Sequence, residues 1–215
     1  MRLSGAPIRN MHMTGAIAAM WEGRVEIEAA VSQLRRGDLG ALSTLIARYQ
    51  NRLYRYLLRL VRQPAQAEDL FQQTWLRVAE KIRSYDPSRN FEAWLFTLAR
   101  NLAFDHLRRI RPQSLDHSVG DESDRNAVAS PLADSGAGPF DRLLAHERAT
   151  LLASAIEKLP VTYREVLSLR FEEEMKLEEI ATVLSAPLST VRSRIQRSLE
   201  QLRGMLDTGS AEVRK

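Results

Sequence analysis

The sequence predicts an all-α protein: two small helical domains joined by a flexible acidic linker. Three observations carry this. Apolar residues recur at the three- and four-residue spacing of helices along most of the chain, and no strand-like alternation persists. From Pro112 to Phe140 that periodicity stops, and Ser, Asp, Gly, Ala and Pro take over. The same stretch carries Asp116, Asp121, Glu122, Asp124 and Asp134 against Arg125 alone, a composition that cannot bury enough apolar surface to order itself. The 215 residues, 44% hydrophobic and 27% charged, leave room for a modest core on each side of this break.

Composition also excludes function classes. Cysteine is absent, which removes disulfides, thiol catalysis and cysteine-ligated zinc or iron–sulfur sites and suits a cytoplasmic protein. The net charge of +4 permits nucleic acid without demanding it, so the placement of the arginines matters more. The apolar-leaning run Met13 to Trp21 contains Gly15 and is too short to span a bilayer, and no cleavage site follows it; neither membrane insertion nor secretion is expected. Asp105 and His106 are adjacent, so on a helix they point about 100° apart, and the remaining histidines are scattered. No catalytic residues, metal site or cofactor are therefore predicted.

The expected organisation is an N-terminal extension without order over 1–27, a first domain over 28–111, the linker over 112–141, a second domain over 142–206 and a tail over 207–215. In the first domain, Tyr49, Leu53, Tyr56 and Leu60 form an apolar helical stripe. Arg48, Arg52, Arg55, Arg59 and Arg62 form a second one, purely arginine, read as facing solvent. After Pro64, an acidic first turn (Glu68, Asp69) suits the positive end of a helix dipole. Phe71, Thr74, Trp75, Val78 and Ile82 make the inward side of that helix. Asp69, Gln73, Leu76 and Glu80, with Gln72 beside them, make another face on which an exposed leucine among amides and carboxylates suits protein docking. SYDPSRN (84–90) breaks the chain, since Asp-Pro forms turns. In the following helix Phe91, Trp94, Leu95, Leu98 and Leu102 form the buried side. Arg100, Asn101, Phe104, His106, Arg108 and Arg109 mostly lie off it, and arginine with asparagine and an aromatic suits single-stranded nucleic acid: guanidinium for phosphate, amide for base edges, ring for stacking.

AEDLFQQTWLRVAEKI followed by SYDPSRNFEAWLFTLARNLAFDHLRR resembles region two of the extracytoplasmic-function sigma factors, small two-domain initiation factors of bacterial RNA polymerase; the likeness covers roughly residues 38–109. The second domain points the same way independently. Leu177, Ile180, Ala181 and Leu184 make a short amphipathic helix, Ser185-Ala186-Pro187 breaks it, and Val191, Ile195, Leu199 and Leu202 line a second helix whose other face shows Arg192, Ser193, Gln196 and Arg197. That is a helix-turn-helix, whose second helix enters a major groove, where arginine pairs with guanine and glutamine with adenine. LEEIATVL…STVRSRIQR also resembles region four of the same sigma factors.

The resemblance implies a fold of a region-two helical bundle and a region-four helix-turn-helix, with core polymerase and promoter DNA as partners and an anti-sigma factor as a regulator. It implies that Asp69, Gln72, Gln73, Leu76 and Glu80 dock on the β′ clamp and that region four meets the β flap. It implies that Tyr85, Asn90, Arg100, Asn101, Arg108 and Arg109 hold the opened −10 strand, Tyr85 walling a pocket for a flipped base. Ser189, Thr190, Arg192, Ser193, Gln196 and Arg197 would read the −35 element, and the linker would thread the RNA-exit path. Serine stands at 185 and 189, where many relatives carry glycine, and FEEEMK (171–176) is more acidic than in a typical relative. A stand-alone helix-turn-helix regulator would leave the first domain unexplained. A nuclease with a DNA-binding tail would need clustered carboxylates or histidines, which the sequence does not offer.

Overall fold

The computed structural model describes residues 23, 25–110 and 139–212, with side chains of the second stretch described from 146 to 207. Most of the predicted linker and the start of the N-terminal extension lie outside these residues. The described residues are helical throughout, with no strand among them. Helix α1 runs over 25–35, so the extension gains structure before residue 28, earlier than composition suggested. Next come α2 (Ala41–Val61), α3 (Pro64–Lys81), a 3₁₀ turn (Ile82–Ser84) and α4 (Phe91–Ile110). The second stretch holds α5 (Pro139–Lys158), α6 (Val161–Leu167), a π-helical turn (Ser168–Glu172), α7 (Leu177–Leu184) and α8 (Leu188–Glu212).

Local chemistry sets the breaks. Gly37, at φ 99°, ends α1 in a conformation that side chains rarely adopt. Arg62 turns left-handed at φ 64° to close α2, its N–H donating to the carbonyl of Leu58 at 2.8 Å. Pro64 then opens α3, where a missing N–H costs nothing. Asn90 caps α4: its side-chain oxygen accepts from the N–H of Ala93 at 3.2 Å. Pro160 separates α5 from α6.

The described residues fall into two compact units. One takes the chain up to Asn51 with Trp75–Asp86, the other Arg52–Thr74 with the chain from Pro87 on. The first buries Ala30, Val31, Leu34, Leu45, Tyr49, Trp75, Val78, Ile82 and Tyr85. The second buries Leu53, Tyr56, Leu57 and Leu60 of α2, one side of α4, and the interiors of α6, α7 and α8. Within it Ala155, Leu159, Leu167 and Leu202 form a cluster against which Tyr163, Met205 and Leu206 pack.

Helix α4 departs from the single buried stripe its sequence suggested. Phe91 and Leu95 are buried as expected, but Ala93, Phe96, Ala99, Ala103 and Phe104, on another side, are buried too. The reason is that α4 has neighbours on more than one side: it packs against α7, and Phe96 meets Tyr56 of α2 edge-on. Phe104 is thereby removed from the exposed set; the Arg100 guanidinium sits over its ring, 4.4 Å from the centroid.

Arg164 ties helix ends together inside the second unit. It is 7% exposed and donates to the carbonyls of Leu159 at 2.7 Å, Arg59 at 3.1 Å, Glu157 at 3.2 Å and Leu60 at 3.5 Å. These are carbonyls that two helices leave unpaired at their C-termini. Burial, reinforced by Arg62, lowers its pKa to about 9, so it stays charged at neutral pH.

The helix-turn-helix lies where the sequence put it. Ser185 sits at φ 49°, ψ 44°, and the N–H of Ala186 closes the turn onto the carbonyl of Ala181 at 3.0 Å. A left-handed serine costs about 1 kcal/mol relative to glycine. Ser185→Gly should therefore stabilise the second domain by about 1 kcal/mol and raise its thermal midpoint by a few degrees. Urea and thermal denaturation check this; an unchanged or lowered midpoint would show that the turn is unstrained.

Candidate nucleic-acid interface

Helix α8 presents the predicted reading face. Val191 is fully buried and anchors the helix, while Ser189, Arg192, Gln196 and Arg197 are exposed and Ser193 and Thr190 half-buried. Ser189, Arg192, Ser193 and Gln196 fall within about 100° of arc, with Arg197 and Thr190 flanking them. Ser193 donates its hydroxyl to the Thr190 carbonyl at 3.0 Å, and Gln196 donates to Glu200 at 2.9 Å. All six assigned residues thus lie in the first turns of one helix, the part that reaches base edges in this motif.

On α3 the assigned docking residues also come together. Asp69, Gln72, Gln73, Leu76 and Glu80 are all exposed and share one side of the helix. Leu76 is 64% exposed. Burying such a leucine under a partner is worth about 1.5–3 kcal/mol, enough to anchor an interface. Glu80 meets only Arg77 here, at 3.4 Å between exposed side chains, a pair worth little.

The residues assigned to the −10 strand do not form one open surface. Asn101 and Arg108 are exposed and about 20° apart around α4; Arg109 is exposed farther round. Asn90 is exposed, but its amide is occupied twice, by the cap and by a bond donated to Glu179 at 2.7 Å. Tyr85 is 4% exposed, so no base reaches its ring in this state; its hydrophobic ring supplies core where the sequence suggested a pocket wall. Arg100 donates from Nε to Glu165 at 2.7 Å.

The partners of Arg100 belong to a buried polar cluster that the sequence did not announce. Glu165 has no exposed side-chain surface, accepts from Arg100 and also receives the Tyr56 hydroxyl at 3.3 Å. Burial pushes its pKa up to about 7, against the opposing pull of Arg100 and the Tyr56 hydrogen bond. The Tyr56 hydroxyl, itself buried, is raised by burial and by Glu165. Nearby, Arg52 pairs with Glu173 at 2.7 Å through Nε and with Glu92 through its other nitrogens, and it lies 6.0 Å from the Phe96 ring centroid. Burial alone would lower the Arg52 pKa; Glu92 and Glu173 together raise it. Arg59 pairs with Glu172 at 2.9 Å. The arginine stripe read as solvent-facing is thus half engaged: Arg48 and Arg55 are exposed, while Arg52 and Arg59 hold glutamates of the second domain.

Fold and surfaces define a class: a helical protein with one helix-turn-helix for duplex DNA and a separate helix carrying amide and guanidinium groups. Residues 45–112 match the family described as Sigma-70 region 2, and residues 149–202 that described as Sigma-70, region 4. The chain is 32% identical over 181 residues to the ECF RNA polymerase sigma factor SigW of Bacillus subtilis, covering 84% of this chain and 96% of that protein. It is 32% identical over 183 residues to the RNA polymerase sigma factor CarQ of Myxococcus xanthus, covering 85% and 99%. Among solved structures, CnrH in complex with the cytosolic domain of CnrY aligns at a TM-score of 0.61 and 24% identity, over 85% of this chain and 98% of that one. The chain belongs to the extracytoplasmic-function sigma factors of RNA polymerase.

Two predictions follow from these geometries. Glu165 titrates near 7 when buried and in the ordinary carboxylate range when exposed, so the folded state binds the extra proton between those values. Stability is then highest below the ordinary carboxylate pKa and is lost as pH rises through about 7. Chemical denaturation from pH 6 to 8 should show stability falling for the parent and a shallower slope for Glu165→Gln; equal slopes would place the proton elsewhere. On α8, Arg192 and Arg197 lie about 140° apart and cannot grip one base together. Arg192→Ala should cost roughly 1–3 kcal/mol and relax preference at one −35 position, whereas Arg197→Ala should weaken all duplexes alike and flatten the salt dependence by about one charge. Binding to single-base −35 variants at several salt concentrations separates the two, and a uniform loss for Arg192→Ala would make it a phosphate anchor.

Proposed function

We propose that this sigma factor engages promoters through three surfaces: α3 on the polymerase clamp, α4 on the opened −10 strand and α8 on the −35 duplex. The observation that supports this reading is that the assigned residues of α3, most of those of α8, and Asn101, Arg108 and Arg109 of α4 are exposed while the other side of each helix is buried, so these are available to a partner without cost to the core. Asp69, Gln72, Gln73, Leu76 and Glu80 dock on β′. Asn101 hydrogen-bonds an exposed base, and Arg100, Arg108 and Arg109 neutralise phosphate. Asn90 and Tyr85 are assigned to the same strand, Tyr85 after a rearrangement that exposes it. Ser189, Thr190, Arg192, Ser193, Gln196 and Arg197 read the −35 element, and region four meets the β flap.

In this reading the chain supplies specificity and the polymerase supplies the chemistry, in the cell interior. The domain limits proposed from sequence are 28–111 and 142–206, with the acidic segment between them; the matched regions are 45–112 and 149–202. An anti-sigma factor is the proposed regulator; a solved sigma factor of like fold, RpoE of Bartonella quintana, was captured with its anti-sigma factor NepR, at a TM-score of 0.57 and 21% identity.

Asp69→Lys combined with Gln73→Ala should abolish co-purification with core polymerase and run-off transcription, with circular dichroism unchanged because both positions are exposed. A folded double variant that still binds core enzyme would remove α3 from the clamp.

A further inference from the structure

Two features of the sequence find no use in promoter recognition as proposed: a helix stripe made only of arginine and the unusually acidic FEEEMK stretch. The structure brings them together. Arg52 receives Glu173 through two contacts, 2.7 Å from Nε to the carboxylate and 3.1 Å from Nη2 to the backbone carbonyl. Arg59 receives Glu172, whose other carboxylate oxygen accepts from Ser168 at 2.8 Å. Beside them Glu165 takes Arg100. The glutamates are aimed by costly backbone: Ser168–Glu172 forms a π-helical turn, and Glu174 follows at φ 54°.

We propose that the second domain's glutamates, Glu165 with Glu172 and Glu173 of the acidic turn, are an internal ligand for Arg100 and for Arg52 and Arg59 of α2, forming a clasp that occupies the strand-binding arginine until promoter DNA replaces it. This rests on the assignment of Arg100 to the −10 strand.

The chemistry of the contact is that of a releasable latch. Glu165 and Glu173 each leave one buried carboxylate oxygen, Oε2 and Oε1 respectively, without a hydrogen-bond partner. A permanent interior either satisfies such atoms or replaces the ion pair with apolar side chains, which is often as stable or more so. Burial also raises the pKa of both carboxyls, so their charged forms are held at a cost that opening relieves. DNA phosphates offer the same arginines an equivalent anion without that burial.

The test uses the full chain in four forms: parent, Glu172→Lys/Glu173→Lys, the same double variant with Arg100→Ala, and the control Glu174→Lys/Glu178→Lys. The control makes an equal charge change at exposed positions of the same domain. Amide hydrogen exchange across α4 and α7 reports opening, and anisotropy of a mixed-sequence single-stranded 20-mer reports strand binding. The clasp predicts faster exchange for Glu172→Lys/Glu173→Lys and binding about tenfold tighter than the control, because the competent state is no longer a minor fraction. That gain should vanish with Arg100→Ala. Unchanged exchange and a gain no larger than the control's would overturn the clasp. Faster exchange without an Arg100-dependent gain would show instead that the contact opens but does not mask the strand site, overturning the role given to Arg100.

Discussion

Glu165 is a carboxylate with no solvent-exposed surface, placed in a unit built mostly from leucine, valine and alanine. Leaving such a charge unpaired costs several kcal/mol, more than most single apolar contacts return. Its needs therefore dictate much around it. Tyr56 of α2 and Arg100 of α4 must both reach one oxygen, which fixes the register of those helices against α6. Arg100 is held further by the Phe104 ring beneath it, and Tyr56 meets Phe96 edge-on at 5.1 Å. One residue earlier, Arg164 takes carbonyls from the ends of α2 and α5. The second unit is thus organised around the buried charges of Glu165 and its neighbours and the groups that answer them.

That organisation explains a division among the helices. The two exposed sides proposed for partners, that of α3 and that of α8, carry polar side chains whose internal bonds are weak or exposed. Helix α4 is different, because its alanines and Arg100 are turned toward the second domain while Asn101, Arg108 and Arg109 remain outward. In the proposed function the same helix serves as core for one state of the chain and as strand-binding surface for another. A polar contact suits such a double role, since its charges are well solvated when it opens, whereas an apolar one would leave a greasy face in water.

Much of this was legible in the sequence. The helix-turn-helix could be placed to the residue because its two apolar periods are interrupted at Ser185-Ala186-Pro187, and the exposed face of α3 because Leu76 sits out of phase with Trp75 and Val78. The second buried side of α4 was not legible: Ala93, Ala99 and Ala103 are small enough to be neutral in any periodicity, and their burial depends on helices remote in sequence. Glu165 gave no signal, since one glutamate in YREVL reads as a solvated helix position. The arginine stripe and FEEEMK were each visible, but nothing local joins residues more than a hundred positions apart. The burial of Tyr85 was hidden for a similar reason, since it is a loop aromatic whose neighbours are distant in sequence.

The clasp as proposed requires α4 to leave α7 when promoter DNA is bound. The absence of native cysteine makes Asp105→Cys with Thr182→Cys a clean pair for spin labels, both positions being exposed and neither assigned to DNA. Double electron–electron resonance on the free chain should give one short distance. In the complex with core polymerase and promoter DNA that distance should disappear in favour of a longer one. Retention of the short distance in a transcriptionally active complex would contradict the account.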